Sequence, residues 1–206
     1  MLAVGLAACT AGVLMVHGGP AGEIGAIPVA PPATASTLVV GTAVQAAAVP
    51  PVGLRLPDED KASLVVPVTV DPDGALGVPE DPATLGWWSG GAKPGEGRGS
   101  IVIDGHVDSS RYGPGVFAQL RYLDVGDRIE VSASGGGLRS YAVTGRRQFD
   151  KSALPAEVFD QGVGERLVLI TCGGSFDRQT RHYSQNTVLY AVPVPESTPR
   201  NKPRND

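Results

Sequence analysis

The chain has 206 residues, enough for one ordinary domain plus extensions. Only 18% of them are charged, the formal net charge is −4 and no basic block occurs, which argues against nucleic acid as a partner. Glycine and proline together exceed a fifth of the chain, a composition shared by linkers and by turn-rich all-β domains.

Met1 to Val16 carry no charge, so residues 1–17 read as an export signal or a short membrane anchor. Spanning a bilayer needs about 20 apolar residues, and the first Lys or Arg is Arg55, so the expected positive flank is absent and a start farther upstream is implied. Leu6-Ala7-Ala8-Cys9 has the form of a bacterial lipoprotein box, in which Cys9 becomes the lipidated N-terminus. The short, uncharged run before it argues against that reading. Residues 18–52 are rich in Ala, Pro, Gly, Val and Thr, with Glu23 the only charge, and show no lasting period. They read as an extended, partly polyproline linker that adds nothing to a core.

The folded domain is assigned to 53–193. Leu64 to Val70 is apolar and β-branched, and Pro67 inside it marks an edge strand or a bulge. Asp71-Pro72-Asp73-Gly74 is a turn, and Ala75 to Pro79 at most a short strand. Asp81-Pro82 opens a helical turn, with Asp81 as its cap. Trp87 and Trp88 follow, with core packing as their expected role, then a glycine-rich loop over 89–99.

Ser100 to Ile103 is a buried strand and Val116 to Tyr122 a short helical turn. Arg128 to Ser132 and Leu138 to Gly145 form a hairpin about Gly135-Gly136-Gly137. Ser152 to Phe159 is a short helix, and Arg166 to Thr171 and Thr187 to Val192 are the last strands. The tail, 194–206, is polar and proline-containing and reads as disordered. Many short strands separated by glycine turns predict a mainly β barrel or sandwich.

Cys172 stands out chemically. It ends the apolar run Leu167-Val168-Leu169-Ile170-Thr171, precedes Gly173-Gly174 and is the only cysteine outside the N-terminal segment. An unpaired thiol in an exported chain is a candidate reactive group. Sixty-six residues upstream, a second strand runs into Asp104-Gly105-His106-Val107-Asp108, and nine residues downstream comes Arg181. Thiol, imidazole and guanidinium suit acyl transfer. Each also has an ordinary alternative: a small buried hydrophobe, a capped loop histidine, a surface charge.

With those residues laid out, the chain resembles the sortases, the cysteine transpeptidases of Gram-positive cell surfaces, and within them the class E/F group of actinobacteria. The likeness rests on Gly105-His106-Val107-Asp108, on 81–87, on Val125-Gly126-Asp127, on 169–177 with Thr-Cys-Gly-Gly at its centre, and on 183–191; it spans roughly residues 55–193. It implies an eight-stranded β-barrel with short helices. It also implies Cys172 as nucleophile, His106 as acid and base, and an arginine on or just before the last strand. Arg181 is taken as that arginine, with Arg178 as the second candidate, because Ser184 stands where many relatives place one.

Asp108 either orients His106 or fixes its loop, and Thr171 and Arg178 are placed beside substrate or around the reacting groups. The implied substrate is a protein with a C-terminal Leu-Pro-x-Thr-Gly-type signal, the implied acceptor a cell-wall amine. The implied enzyme is a monomer held by its N-terminal segment at the outer face of the membrane. Neither cofactor nor metal is expected, since the histidines and acids lack ligand spacing.

Three other readings compete. A papain-like hydrolase has its cysteine before its histidine, at a helix start. An L,D-transpeptidase carries a different cysteine motif. A surface-displayed β-domain would merely bind a partner and retain its cysteine passively.

Overall fold

The computed structural model describes residues 22–28, 48–72 and 74–195. The apolar start with Cys9, and the tail from 196, lie outside the described residues. Among those described, no helix is long and apolar enough to cross a membrane.

Eleven strands are present among the described residues: β1 (Ile24–Gly25), β2 (Pro51–Arg55), β3 (Ser63–Val68), β4 (Leu85–Trp88), β5 (Ser100–Asp104), β6 (Asp108–Ser109), β7 (Gly113–Pro114), β8 (Arg128–Ala133), β9 (Leu138–Asp150), β10 (Arg166–Asp177) and β11 (His182–Pro193). Eight of them close a barrel in the order β9-β11-β10-β5-β4-β3-β2-β8, with β8 pairing back onto β9. Closure leaves the barrel strands without a free edge. The pairs β3–β4 and β5–β10 are parallel; the other barrel pairs are antiparallel.

The inner face carries the main core, including Leu54, Val65, Leu85, Ile101, Ile103, Val131, Leu167, Leu169 and Leu189. The alternate residues of β5 and β10 point outward. There Val102, Val168 and Ile170 join Val188 and Tyr190 in a second cluster, covered by Leu76, Leu154, Val158 and Phe159. Burial on both faces is why 101–103 and 167–170 are unbroken apolar runs rather than alternating ones. Trp87 is buried, with its indole N–H donated to the Ala92 carbonyl at 3.2 Å, and Trp88 packs edge-on against Phe159.

Several local expectations change. β3 is not an edge strand, because it pairs with β2 and β4. Pro67 is tolerated because it lies beyond the stretch paired with β2, which ends at Leu64. Ala75 to Pro79 contributes only the bridge Val70–Leu76 and otherwise crosses the outer face as irregular chain.

Asp81 closes a turn rather than a helix, accepting from the Ala83 N–H at 2.9 Å and the Thr84 hydroxyl at 3.2 Å. The expected helix over 152–159 splits into two 3-10 turns, Lys151–Ala153 and Ala156–Phe159, because Pro155 has no N–H to continue it. β9 runs to Asp150 rather than stopping at Gly145.

Two parts of the segment read as linker have defined structure. β2 begins at Pro51, two residues before the assigned domain start. Farther upstream, β1 adds to the side of β9, Ile24 facing Arg146 and Gly25 facing Gly145. The guanidinium of Arg147 donates to the Ile24 and Gly25 carbonyls at 2.7 and 2.8 Å. Gly25 lies at φ +63°, where a Cβ would sit 2.0 Å from the Thr144 carbonyl oxygen, so only glycine fits.

Candidate active site

β5 and β10 run parallel with a constant offset, Ser100 beside Arg166 through Asp104 beside Ile170. The chain keeps that offset past the end of β5. The Gly105 N–H donates to the Ile170 carbonyl at 3.1 Å, and the Thr171 hydroxyl donates to the Gly105 carbonyl at 2.8 Å. The same offset carries His106 alongside Cys172. Strand alternation puts both on the outward side with Asp104 and Ile170. Thr171, read as a residue beside substrate or around the reacting groups, uses its hydroxyl to join the histidine-bearing segment to the cysteine-bearing strand.

Cys172 does not end its strand, as the sequence reading had it. β10 continues to Asp177 and turns back through β11, with Cys172 opposite Asn186. The two following glycines serve this hairpin. A Cβ at Gly173 would meet the Thr187 hydroxyl at 2.2 Å, and Gly174 adopts φ +73° where the register shifts. Cys172 is a free thiol, half-buried.

Three cavities meet at this sulfur-bearing residue. A cavity of about 540 Å³ lies under the hairpin tip, lined by His106, Asp108, Lys151, Cys172, Arg181 and Tyr183 among others. A second, of about 470 Å³, runs along the outer face between Leu76–Val78 and Ile170 and also reaches His106, Lys151 and Cys172. A smaller one, of about 100 Å³, lies on the other side, with Phe117, Arg121, Gly173 and Thr187. The 3-10 turn Val116–Tyr122 that walls it is held by buried Arg146, which donates to the Leu120 and Leu123 carbonyls at 3.1 and 2.7 Å. Burial lowers the pKa of that guanidinium from its ordinary value.

His106 Nε2 lies 2.9 Å from the Pro79 carbonyl oxygen. A carbonyl only accepts, so Nε2 carries the proton and, in the neutral ring, Nδ1 is the acceptor. The Asp108 carboxylate accepts the Tyr183 phenol hydrogen across to β11, a contact that fits the loop-fixing alternative. That bond to the carboxylate is the main cause holding the phenol up at about 12.

Arg181 sits in the hairpin turn at φ +58° and lines the cavity shared by Cys172 and His106. Arg178, in the same turn, is exposed and lines none of the three cavities described here. Asp177, the last residue of β10, opens that turn. It accepts the Gln179 and Thr180 N–H groups at 2.7 and 3.3 Å, and the Gln179 bond leads in holding its carboxyl below the usual range. Ser184, where an arginine was expected by resemblance, accepts the Ser175 N–H at 3.0 Å and so ties the hairpin together.

Sequence reasoning missed two residues of this site. Lys151, seen only as the residue before a short helix, brings Nζ to 3.3 Å from Cys172 Sγ. No motif signals it, because the contact joins the end of β9 to a strand it does not pair with at that point. Asp104 is only 4% exposed and lines the outer-face cavity. Burial pushes its carboxyl up to about 7, against opposition from backbone N–H groups. An acid where alternation demands the partner of Val102 was the available clue. Among the described residues no group of histidine, cysteine and acid side chains is arranged to hold a metal.

A family model described as Sortase domain matches residues 54–194. Solved structures with the same fold include sortase C1 of Streptococcus agalactiae in complex with MTSET, with 18% identity, 71% of this chain and 69% of that one covered, and a TM-score of 0.54. Sortase C-1 of Actinomyces oris is 19% identical, with coverages of 70% and 73% and a TM-score of 0.53. Sortase A of Corynebacterium diphtheriae is 18% identical, with coverages of 74% and 64% and a TM-score of 0.52. At these identities the structures speak for the fold. Comparison with curated proteins found no match.

Proposed function

Since the chain belongs to the sortase family, we propose that it is a class E/F-type cysteine transpeptidase that cleaves a C-terminal Leu-Pro-x-Thr-Gly-type sorting signal and passes the protein to a cell-wall amine. The observation that carries this reading is the parallel offset of β5 and β10, which sets His106 and Cys172 on one outward face where the cavities meet.

The Cys172 thiolate attacks the scissile carbonyl, and the charge passes to the carbonyl oxygen. Collapse of that intermediate breaks the C–N bond; imidazolium His106 gives its proton to the departing amine, and a thioester remains. The acceptor amine then attacks the thioester, His106 takes its proton, and Cys172 is released as thiolate as the new amide forms. Arg181 is assigned to the substrate carbonyl oxygen, since a guanidinium keeps its charge and its planar set of donors throughout. Arg178 is left as a turn residue.

The family works at the cell surface. We place this enzyme as a monomer at the outer face of the membrane, held by 1–17, with surface proteins as substrates and no cofactor.

The test is mass spectrometry of the chain incubated with a sorting-type peptide and a small amine. The expected result is an acyl adduct on Cys172 that the amine discharges, and complete loss of cleavage in Cys172→Ala. Cleavage retained by Cys172→Ala overturns the mechanism. A thiol that never acylates with any peptide of this type favours the passive binding domain.

A further inference from the structure

Lys151 sets a cation against the reacting sulfur. Its Nζ is 3.3 Å from Cys172 Sγ, and its side chain lines both larger cavities together with Cys172 and His106. Its backbone continues directly from a paired strand. Lys151 follows Asp150, the last residue of β9, which pairs in register with Gln185 of β11 and accepts that side chain's amide hydrogen at 3.3 Å.

The other groups facing the sulfur are accounted for from each neighbouring element. Asp108 is engaged by Tyr183, and His106 Nε2 by the Pro79 carbonyl. Arg181 and His182 lie at the hairpin end of the larger cavity, Arg121 stands in the small one, and Asp104 lies in the outer-face cavity.

We propose that Lys151 is a further catalytic residue of this site: its ammonium donates a charge-assisted hydrogen bond to Cys172 and holds it as thiolate between turnovers. This rests on Cys172 being the nucleophile. A cation against sulfur favours the anion, and the thiolate is the attacking species. The ammonium has three hydrogens and no acceptor, so one serves the sulfur while two stay free for the cavities on either side. A charge on a long flexible stem can stay with the sulfur as the substrate enters. The division of labour follows: the lysine holds the charge on sulfur, and the histidine is left to move the amine's proton.

The experiment is the pH dependence of iodoacetamide alkylation of the full chain, read by mass spectrometry on the Cys172 peptide so that Cys9 does not interfere. Wild type, Lys151→Met and Lys151→Arg are compared, with thermal midpoints checked. Lys151 is exposed, so neither change threatens the fold. In Lys151→Met the alkylation profile should move up by about one pH unit, the low end for an adjacent opposite charge, so that the rate falls about tenfold on the acid limb, below both midpoints. Lys151→Arg should keep the wild-type profile. High salt should narrow the gap between wild type and Lys151→Met, as expected of a partly exposed pair.

Superimposable profiles for wild type and Lys151→Met overturn the proposal. So does an equal loss in Lys151→Met and Lys151→Arg, which would mark packing rather than charge. Alkylation reports the thiol without any peptide, so this failure is distinct from that of the transpeptidase reading, which Cys172→Ala and the acyl adduct decide.

Discussion

Asp104→Asn removes a charge from a place that cannot solvate it. The carboxyl belongs to a residue 4% exposed, and neither oxygen meets a hydrogen-bond partner within ordinary geometry. Burial raises its pKa from 3.8 to about 7. Below the lower value both folded and unfolded chains hold the proton, and Asp104 costs nothing. Between the two values the folded chain holds a proton that the unfolded chain has released, so stability falls as pH rises. Above about 7 both are ionised, and the cost stays at its full size.

At about 1.4 kcal/mol per pH unit over about three units, that cost reaches ~4 kcal/mol as an upper bound. Asn keeps the shape and cannot ionise. Asp104→Asn should therefore match wild type near pH 4 and gain on it steadily to pH 7, with a plateau beyond. At the upper bound, Tm at pH 8 rises by on the order of 10 °C. The assay is thermal unfolding of both proteins from pH 4 to 8, or urea unfolding where heating is irreversible. A difference that stays flat with pH, or that grows toward acid, refutes the reasoning.

Two further outcomes are expected. Arg181→Ala should lower turnover of a sorting-type peptide by about a hundredfold or more, the scale of losing one oxyanion donor, with Arg181→Lys nearly as damaging and Arg178→Ala mild; steady-state kinetics with the reverse ranking would move the role to Arg178. A chain starting at Ala48 should keep the barrel, because β1 lies outside the closed ring, yet lose the carbonyl partners of Arg146 and Arg147 at Gly22, Ile24 and Gly25. A fall of about 1–3 kcal/mol in urea unfolding is expected for donors left unpaired, and unchanged stability would mean that water replaces these contacts at no cost.

The sequence was most readable where one local rule acts alone. Unbroken β-branched and aliphatic runs at 101–103 and 167–170 announced strands, the first of them buried, and both are strands paired on either side. Cys172 and His106 could be singled out as candidates because a reactive residue type followed each run. Local rules failed where a neighbour overrode them. Pro67 looked like an edge signal, but its missing N–H matters only where a partner strand needs it, and β2 has ended there. The segment 152–159 carried helical composition, but Pro155 breaks it into two single turns.

By itself, then, the chain determined the β-rich class, the strands that bear the candidate residues and the identity of the nucleophile candidate, because these follow from residue type and short-range period. Tertiary structure alone decided what surrounds the sulfur. The parallel offset of β5 and β10 brings His106 alongside Cys172, the end of β9 delivers Lys151, and the hairpin turn at Arg181 directs that residue, rather than Arg178, to the cavity. Each of these depends on which strands become neighbours and in what register. Those are properties of barrel closure, and no window along the chain contains them.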